Sequence, residues 1–163
     1  MNLVTEKNQY SLLQIDDMQD QLTGSTWFTT LDQREAYHRI RMKKEHKKYT
    51  AFKTPYRMYE FRVVLFGLTN APAKQQEHAN NMLKEGLYKF VVVYLDDILI
   101  YTKETQEDHI ERVKWVLRQY KKRDMLFKLE KCTFFIKKIE FLGHTVTTEG
   151  LWMQEEKIKE ILK

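Results

Sequence analysis

The chain has 163 residues, enough for one domain with a substantial core and short for two. Its residues are 42% hydrophobic and 31% charged with both signs mixed, which excludes a disordered polyelectrolyte. No apolar run approaches the ~20 residues that span a bilayer, and the single cysteine, Cys132, excludes an internal disulfide. We therefore expect one intracellular domain outside the membrane. The net charge of +5 weakly favours a polyanionic partner.

Hydrophobic spacing and turn residues predict the elements of the first half in chain order. "IDDMQDQL" has the spacing of a short amphipathic helix ended by Gly24, and "TWFTTLD" reads as a strand ending at Asp32. Two strands hinged at Pro55 and Tyr56 are predicted between residues 49 and 65. A helix with Pro72 in its first turn is predicted to follow, with helical spacing maintained as far as Leu87.

The second half is predicted to open with a strand, a tight turn and a strand across residues 90–101. "TQED" at 105–108 has the form of a capping box and predicts a helix that ends near Arg123. Short strands are expected around Gly143, with a turn at Gly150 and the start of a last helix in "EEKIKEILK". This order favours an α+β fold over an alternating parallel fold.

The stretch "FVVVYLDDILIY" places Asp96 and Asp97 between two apolar runs. We interpret the two carboxylates as the turn of a hairpin, where their repulsion would be relieved by a cation. Asp32, at another strand end, would complete a set of oxygen ligands suited to Mg²⁺, although spacing alone does not place it beside the pair. A solvated acidic turn is the alternative interpretation.

Basic side chains are concentrated in "RIRMKKEHKK", where only Glu45 opposes them. Such a stretch suits contacts with phosphates, and the alternative is a solvated hairpin tip. Its members are Arg39, Arg41, Lys43, Lys44, Lys47 and Lys48.

The motifs "YLDDILIY", "TTLDQREAYHRI", "FRVVLFGLTNAPA" and "FLGHTVTTEGL" occur in this order. Together they resemble the palm of the reverse transcriptases of gypsy-type LTR retrotransposons and related plant and fungal elements. The resemblance implies a ferredoxin-like palm, an antiparallel sheet with helices packed on one face, over residues 1–163. It implies a fingers-side hairpin at about 39–65 and a primer-grip hairpin with the start of the thumb connection at about 136–163.

The same resemblance implies DNA synthesis on an RNA or DNA template with a primer. The reaction would use deoxynucleoside triphosphates and Mg²⁺, with Mn²⁺ as an alternative ion. Residue by residue, the aspartates Asp32, Asp96 and Asp97 match the metal-binding set. Lys131 matches a lysine suggested to protonate the pyrophosphate, with Lys128 as its rival and a solvated lysine as the bland alternative.

Further residues match positions around the substrates. Tyr37 matches the aromatic gate against a ribose 2′-hydroxyl, although core packing would be the usual interpretation of a lone tyrosine. Phe66 and Gly67 match the segment beside the incoming nucleotide, and Tyr94 a position near the primer terminus. The primer grip corresponds to Phe141, Leu142, Gly143 and His144. By analogy, the basic stretch would face the template from the fingers side.

The chain also departs from the family pattern. Fingers strands that grip the triphosphate are expected upstream, and most of the thumb and any RNase H domain downstream. Ser11 and Leu13 replace two prolines, and Lys74 and Gln75 replace a threonine and a phenylalanine. Burying Gln75 unpaired would cost about 1–3 kcal/mol.

Three functional hypotheses follow from these motifs. The first is a polymerase palm in the cytoplasm or in virus-like particles, with little processive synthesis by the chain alone. The second is a catalytically inactive remnant that binds nucleic acid or a partner. A two-metal nuclease is the third, but it leaves "FGLTNAPA" and "FLGH" unexplained.

Overall fold

The computed structural model describes residues 2, 5–8, 10 and 15–153. Single-turn 3₁₀ helices lie at Tyr37–Arg39 and Leu129–Lys131, and a longer one at Lys44–Thr50. The helices and strands are α1 Ile15–Leu22, β1 Trp27–Asp32, β2 Phe52–Lys53, β3 Met58–Tyr59, α2 Ala71–Met82, β4 Val91–Tyr94, β5 Asp97–Thr102, α3 Gln106–Lys121, β6 Thr133–Ile136, β7 Lys138–Phe141, β8 His144–Thr147 and β9 Gly150–Met153.

A four-stranded antiparallel sheet in the order β4-β5-β1-β6 organises the chain. Helix α2 connects β1 to the β4–β5 hairpin, and α3 connects that hairpin to β6. This β-α-β-β-α-β succession with an antiparallel sheet is the ferredoxin-like arrangement, so the predicted α+β class is confirmed. Two smaller sheets, β2-β3 and β7-β8-β9, complete the described part of the chain.

The apolar runs in the central hairpin are explained by burial of both faces of the sheet. Successive strand residues point to opposite faces, so Val91 and Val93 pack on one side and Val92 on the other. The first side carries α2 and α3, as predicted. The opposite side is covered by α1 together with residues of β7 and β8, a layer that hydrophobic spacing did not reveal.

The β4–β5 turn differs from the expected one. Tyr94 pairs with Asp97, so the two loop residues are Leu95 and Asp96, and Asp97 is the first residue of β5. The prediction of an Asp-Asp turn is therefore wrong by one residue. A positive φ of 56° at Leu95 allows the tight reversal, which places the second aspartate in the ladder opposite β1.

Residues 40–64 form a hairpin whose two ends are hydrogen-bonded to each other, here called the 40–64 hairpin. Met42 N donates to Arg62 O, and Val64 N donates to Ile40 O, each at 2.9 Å. The two predicted strands exist, but each contains only two paired residues. Much of the preceding segment is instead the 3₁₀ helix at Lys44–Thr50.

Other predicted elements agree with the structure, with shifted ends. Helix α2 ends at Met82 rather than continuing to Leu87, which lies in the following turns. The capping box of α3 is present, since the Thr105 side chain accepts from Asp108 N and the Asp108 side chain accepts from Thr105 N. The predicted last helix and the positions of the two replaced prolines lie outside the described residues. Within the described residues, no helix is long and apolar enough to cross a membrane.

Fully buried on α3, His109 ties the helix to the sheet. Its Nε2 is hydrogen-bonded to the Thr29 hydroxyl and its Nδ1 to the Thr102 hydroxyl, both at 2.8 Å. Burial, assisted by the charge of Arg112, lowers the pKa of His109 to about 4. The imidazole is therefore neutral in the folded protein at neutral pH.

Acidification should destabilise the fold through His109. The unfolded chain binds the proton near pH 6.5, whereas the folded chain resists it until about pH 4. The free energy of unfolding should thus fall by up to about 1.4 kcal/mol per pH unit as pH decreases between these values. Urea unfolding at several pH values in this range measures the dependence of the unfolding free energy on pH. This dependence should be weaker for His109→Gln, because glutamine does not titrate. An equal pH dependence of the unfolding free energy in both proteins would contradict the lowered pKa of His109.

Candidate active site

Two of the aspartates that the motifs select lie opposite each other on adjacent strands of the central sheet. Asp32 ends β1 and Asp97 begins β5, and the two residues are direct partners in the antiparallel ladder. Direct partners point to the same face, so both side chains lie on one side of the sheet. Asp96 adjoins them in the turn, where its carbonyl accepts a hydrogen bond from Gln33 N at 2.9 Å. The structure therefore brings the three aspartates to one edge.

Electrostatics at this edge combine acidic repulsion with two nearby lysines. Burial, followed by the charges of Asp96 and Asp32, raises the pKa of Asp97. Lys128 Nζ lies 2.8 Å from Asp32 Oδ1, and Lys131 Nζ lies 3.7 Å from Oδ2. The pairing with Asp32 raises the pKa of Lys128. Both rival lysines thus reach the first aspartate, and Lys128 approaches it more closely.

Within the described residues, no three acidic, histidine or cysteine side chains are already grouped as a metal-binding set. The carboxylate of Asp32 pairs with Lys128 and Lys131. The pKa of Asp97 is raised by burial and by the neighbouring acids Asp96 and Asp32. These carboxylates still offer the oxygen ligands that a hard divalent cation prefers, and a cation would relieve their repulsion. The donor set fits such an ion once Lys128 releases Asp32.

A cavity of about 230 Å³ separates the aspartates from the strands near the C-terminal end of the described chain. Its lining includes Asp32, Asp97 and Lys131 together with Phe141 and Leu142. The predicted primer-grip segment therefore faces the predicted catalytic residues. Glu140 also lines this cavity, and no sequence motif indicated it.

The turn of this segment is built from Leu142 and Gly143, both with positive φ. His144 starts β8 and pairs with Phe141, while its Nδ1 lies 3.1 Å from Leu142 O. Tyr94, at the end of β4, packs against the apolar cluster that contains Phe141. The β7–β8 hairpin and the β4–β5 hairpin are therefore connected through one core.

The rings of Tyr37 and Phe66, two residues that the motifs select, are in contact. Their ring centroids are 4.9 Å apart in an edge-to-face contact, and 69% of Phe66 is exposed. Burial and then the charge of Asp96 raise the pKa of Tyr37, which places its hydroxyl within the field of that carboxylate. Gly67 follows with a φ of 83°, a conformation that favours glycine.

The predicted basic stretch lies apart from the cavity. None of its six members is among the residues that line this cavity in the described part of the chain. Arg39 ends the short 3₁₀ helix, and Arg41 is paired with Val63 at the base of the 40–64 hairpin. The lysines lie at or within the 3₁₀ helix at Lys44–Thr50.

Buried glutamines support the β4–β5 turn, a role that sequence reasoning missed. Gln76 accepts a hydrogen bond from Leu95 N and donates to Val93 O, both at 2.8 Å. Gln75 donates to Gln33 Oε1 at 3.1 Å and to Leu95 O at 3.5 Å. The expected cost of an unpaired Gln75 is thereby reduced, although its Oε1 accepts no hydrogen bond from the described residues. Gln75 and Gln76 have helical spacing with the buried Ala79, and this spacing was the sequence signal that could have indicated their burial.

Comparison with known proteins identifies the family of this chain. The sequence profile described as "Reverse transcriptase (RNA-dependent DNA polymerase)" matches residues 1–146. The chain belongs to this family. It is therefore a reverse transcriptase domain by descent, and the family generally uses divalent metals.

Relatives of the domain occur in LTR retrotransposon polyproteins. The chain is 34% identical over its full length to the Transposon Tf2-3 polyprotein of Schizosaccharomyces pombe, of which it spans 12%. Over 99% of its length it is 35% identical to the Retrovirus-related Pol polyprotein from transposon 297 of Drosophila melanogaster, of which it spans 15%. The chain thus corresponds to a small part of the curated relatives that it matches.

Solved structures agree with the fold. The foamy viral protease-reverse transcriptase in complex with RNA/DNA hybrid matches 99% of the chain with a TM-score of 0.84 and 20% identity. A related foamy viral structure with double-stranded DNA matches with a TM-score of 0.86. The chain covers 22% and 28% of these proteins, respectively. The described architecture is thus that of a reverse transcriptase.

The hydrogen-bonded pair Gln33 and Gln75 should behave as a coupled unit in stability measurements. Gln33→Leu or Gln75→Leu alone leaves a buried amide without its partner and should lower the free energy of unfolding by about 1–3 kcal/mol. The double variant should lose less than the sum of the two single losses. Urea unfolding of all four proteins measures the coupling.

The neighbouring exposed Lys74→Leu is the control, since its surface ion pair with Glu77 contributes little. Strict additivity of the two glutamine substitutions would show that the pair carries no mutual stabilisation.

Proposed function

We propose that this chain is the catalytic palm core of a gypsy-type retrotransposon polymerase that makes DNA on an RNA or DNA template. One observation carries the proposal: Asp32 and Asp97 are direct partners across the ladder, with Asp96 in the adjoining turn. A primed template and deoxynucleoside triphosphates are the proposed substrates, and the cytoplasm or virus-like particles the proposed location. Fingers, thumb and RNase H regions of a longer polyprotein would complete the enzyme.

Asp32, Asp96 and Asp97 are the proposed ligands of Mg²⁺, with Mn²⁺ as an alternative. When bound, such ions activate the attacking hydroxyl and stabilise the leaving oxygen in phosphoryl transfer. The protein contributes a site where Asp32 and Asp97 line a cavity and where two lysines balance the charge of Asp32. Mutual repulsion of the aspartates favours binding of a cation.

Lys131 is proposed to give a proton to the departing pyrophosphate, because its ammonium lies near Asp32 and lines the cavity. Lys128 is its rival for this role, since it is closer to the same carboxylate. Two adjacent ammonium groups would in either case attract the negative phosphates of an incoming nucleotide.

The remaining site residues are proposed to position the substrates. Tyr37, held by the edge of Phe66 and close to Asp96, would exclude a ribose 2′-hydroxyl. At Gly67 the backbone would approach the nucleotide closely, as glycine permits. Tyr94 and the segment from Phe141 to His144 would hold the primer end, and Phe141 and Leu142 of this segment line the cavity.

The basic stretch is proposed to contact template phosphates without regard to sequence. Its exposed lysines around Lys44–Thr50 suit contacts whose strength falls with salt. Such contacts allow any template to be copied, because phosphates carry no base information.

Primer extension tests the polymerase proposal. On an RNA template with Mg²⁺ or Mn²⁺, the chain should add very few nucleotides to a labelled primer, because phosphoryl transfer depends on positioning. The Asp96→Asn/Asp97→Asn double variant should add none, since the amides remove two charged ligands.

Circular dichroism should show that this variant remains folded. Extension that persists in the variant would refute the assigned roles. Equal absence of extension in both proteins would favour the inactive remnant that binds nucleic acid or a partner.

Metal binding should be opposed by Lys128. Lys128→Met removes the cation that neutralises Asp32, so Mn²⁺ affinity should rise by about fivefold, the scale of a partly exposed ion pair. Titration of free Mn²⁺ by electron paramagnetic resonance measures this change without any catalysis.

The control Lys114→Met, which removes an exposed lysine paired with Glu111 on α3, should leave Mn²⁺ affinity unchanged. Asp32→Asn should weaken binding. Unchanged or weaker Mn²⁺ binding by Lys128→Met would contradict the competition.

A further inference from the structure

A series of hydrogen bonds links the N-terminal segment to the turn that carries Asp96. Gln76 and Asn80 lie one helical turn apart on α2, and only 1% and 8% of these residues are exposed. Gln76 Nε2 donates to Asn80 Oδ1, and Asn80 Nδ2 donates to the Tyr10 hydroxyl oxygen, both at 2.9 Å. Gln76 Oε1 accepts from Leu95 N at 2.8 Å. These three contacts, here called the amide network, connect Tyr10 to Leu95.

The direction of each hydrogen bond in the amide network is determined at the turn. A backbone N–H can only donate, so the Gln76 oxygen must face Leu95 N. The Gln76 nitrogen therefore faces Asn80 Oδ1, and it also donates to Val93 O at 2.8 Å. The Asn80 nitrogen then points away from the turn and needs an acceptor, because the side chain is buried. Within the described residues, the hydroxyl oxygen of Tyr10 is that acceptor.

Leu95, where the amide network ends, has a strained backbone. Its φ is 56°, a left-handed conformation that leucine rarely adopts. Such a conformation persists only where the surrounding groups hold it. Leu95 directly precedes Asp96, so a rotation of its backbone would move that carboxylate relative to Asp32 and Asp97. The hydrogen bond to Leu95 N therefore acts at the point that orients the metal-binding turn.

Satisfaction of buried polar groups is the alternative interpretation of the amide network. Apolar side chains of similar shape would pack in the same space without needing any hydrogen bond. Only an acceptor can bind the Leu95 N–H, and only a fixed acceptor can restrain it. The contact between Asn80 and Tyr10 fixes the Gln76 amide that supplies this acceptor. The arrangement thus favours a role in positioning the turn.

We propose that Tyr10 is a positioning residue for the metal-binding turn: through Asn80 and Gln76, its hydroxyl oxygen holds the backbone that presents Asp96. The proposal rests on the proposed function for the role of Asp96 as a metal ligand. The contacts of the amide network need no metal, so the two proposals can fail separately.

Amide hydrogen exchange of the metal-free chain, measured by NMR, tests the amide network. Tyr10→Phe removes only the hydroxyl and keeps the ring, so the fold should be retained. Asn80 then lacks its acceptor, and the Gln76 amide is held less firmly. The Leu95 amide should exchange about fivefold faster than in the wild type, the scale of one lost hydrogen bond. An unchanged exchange rate would overturn the proposal.

A second substitution separates the amide network from general destabilisation. Asn80→Leu removes the middle of the network, so Tyr10→Phe should cause no further increase in Leu95 exchange in that background. An equal increase in both backgrounds would show that Tyr10 acts by another route and would refute the proposal. Tyr56→Phe is the matched control, because it removes a hydroxyl from a residue that is 91% exposed. It should leave Leu95 exchange unchanged.

Mn²⁺ binding tests the consequence for Asp96. Titration followed by electron paramagnetic resonance should show an affinity about threefold lower for Tyr10→Phe than for the wild type, because the ligand is less precisely held. Circular dichroism should show that both proteins are equally folded. Faster Leu95 exchange with unchanged Mn²⁺ affinity would contradict the positioning role. A wild-type chain that binds no Mn²⁺ would instead refute the proposed metal site, while the exchange rates would still decide whether Tyr10 holds the turn.

Discussion

Apolar packing on both faces of the central sheet is the constraint on which this structure depends, because it holds three mutually repelling carboxylates at one sheet edge. The β1–β5 ladder fixes Asp32 opposite Asp97 regardless of that repulsion, because the register is determined by apolar packing on both faces of the sheet. Lys128 and Lys131 then balance part of the charge. Core packing thus maintains an arrangement that the isolated side chains would avoid, and the resulting field suits a cation or a phosphate.

Much of the fold could be predicted from the sequence because its signals are local. β-branched runs, a capping box and Pro72 in a first helical turn each indicate an element within a few residues. The expected roles of the three aspartates, of Tyr37 and of Phe66 came from motif resemblance, since spacing alone could not place Asp32 beside the pair. Their positions in the structure now rest on strand register and ring contacts.

Features missed by sequence reasoning depend on contacts between distant segments. The turn was placed one residue late because the left-handed conformation of Leu95 has no glycine or asparagine signal. The amide contact between Gln33 and Gln75 joins residues 42 positions apart, and glutamine ordinarily indicates an exposed surface. Burial of the second face of the sheet likewise requires α1 and β7–β8 to meet, which no periodicity within one element reveals.

The 40–64 hairpin is hydrogen-bonded at its base, so it can open locally without unfolding of the central sheet. Short strands and exposed rings give this unit little burial of its own, whereas β4 and β5 are almost wholly buried. Local opening of the hairpin therefore requires much less free energy than global unfolding, and its amides should exchange with solvent long before those of β4 and β5. The protein thus combines a rigid central sheet with a hairpin that opens at a lower cost in free energy.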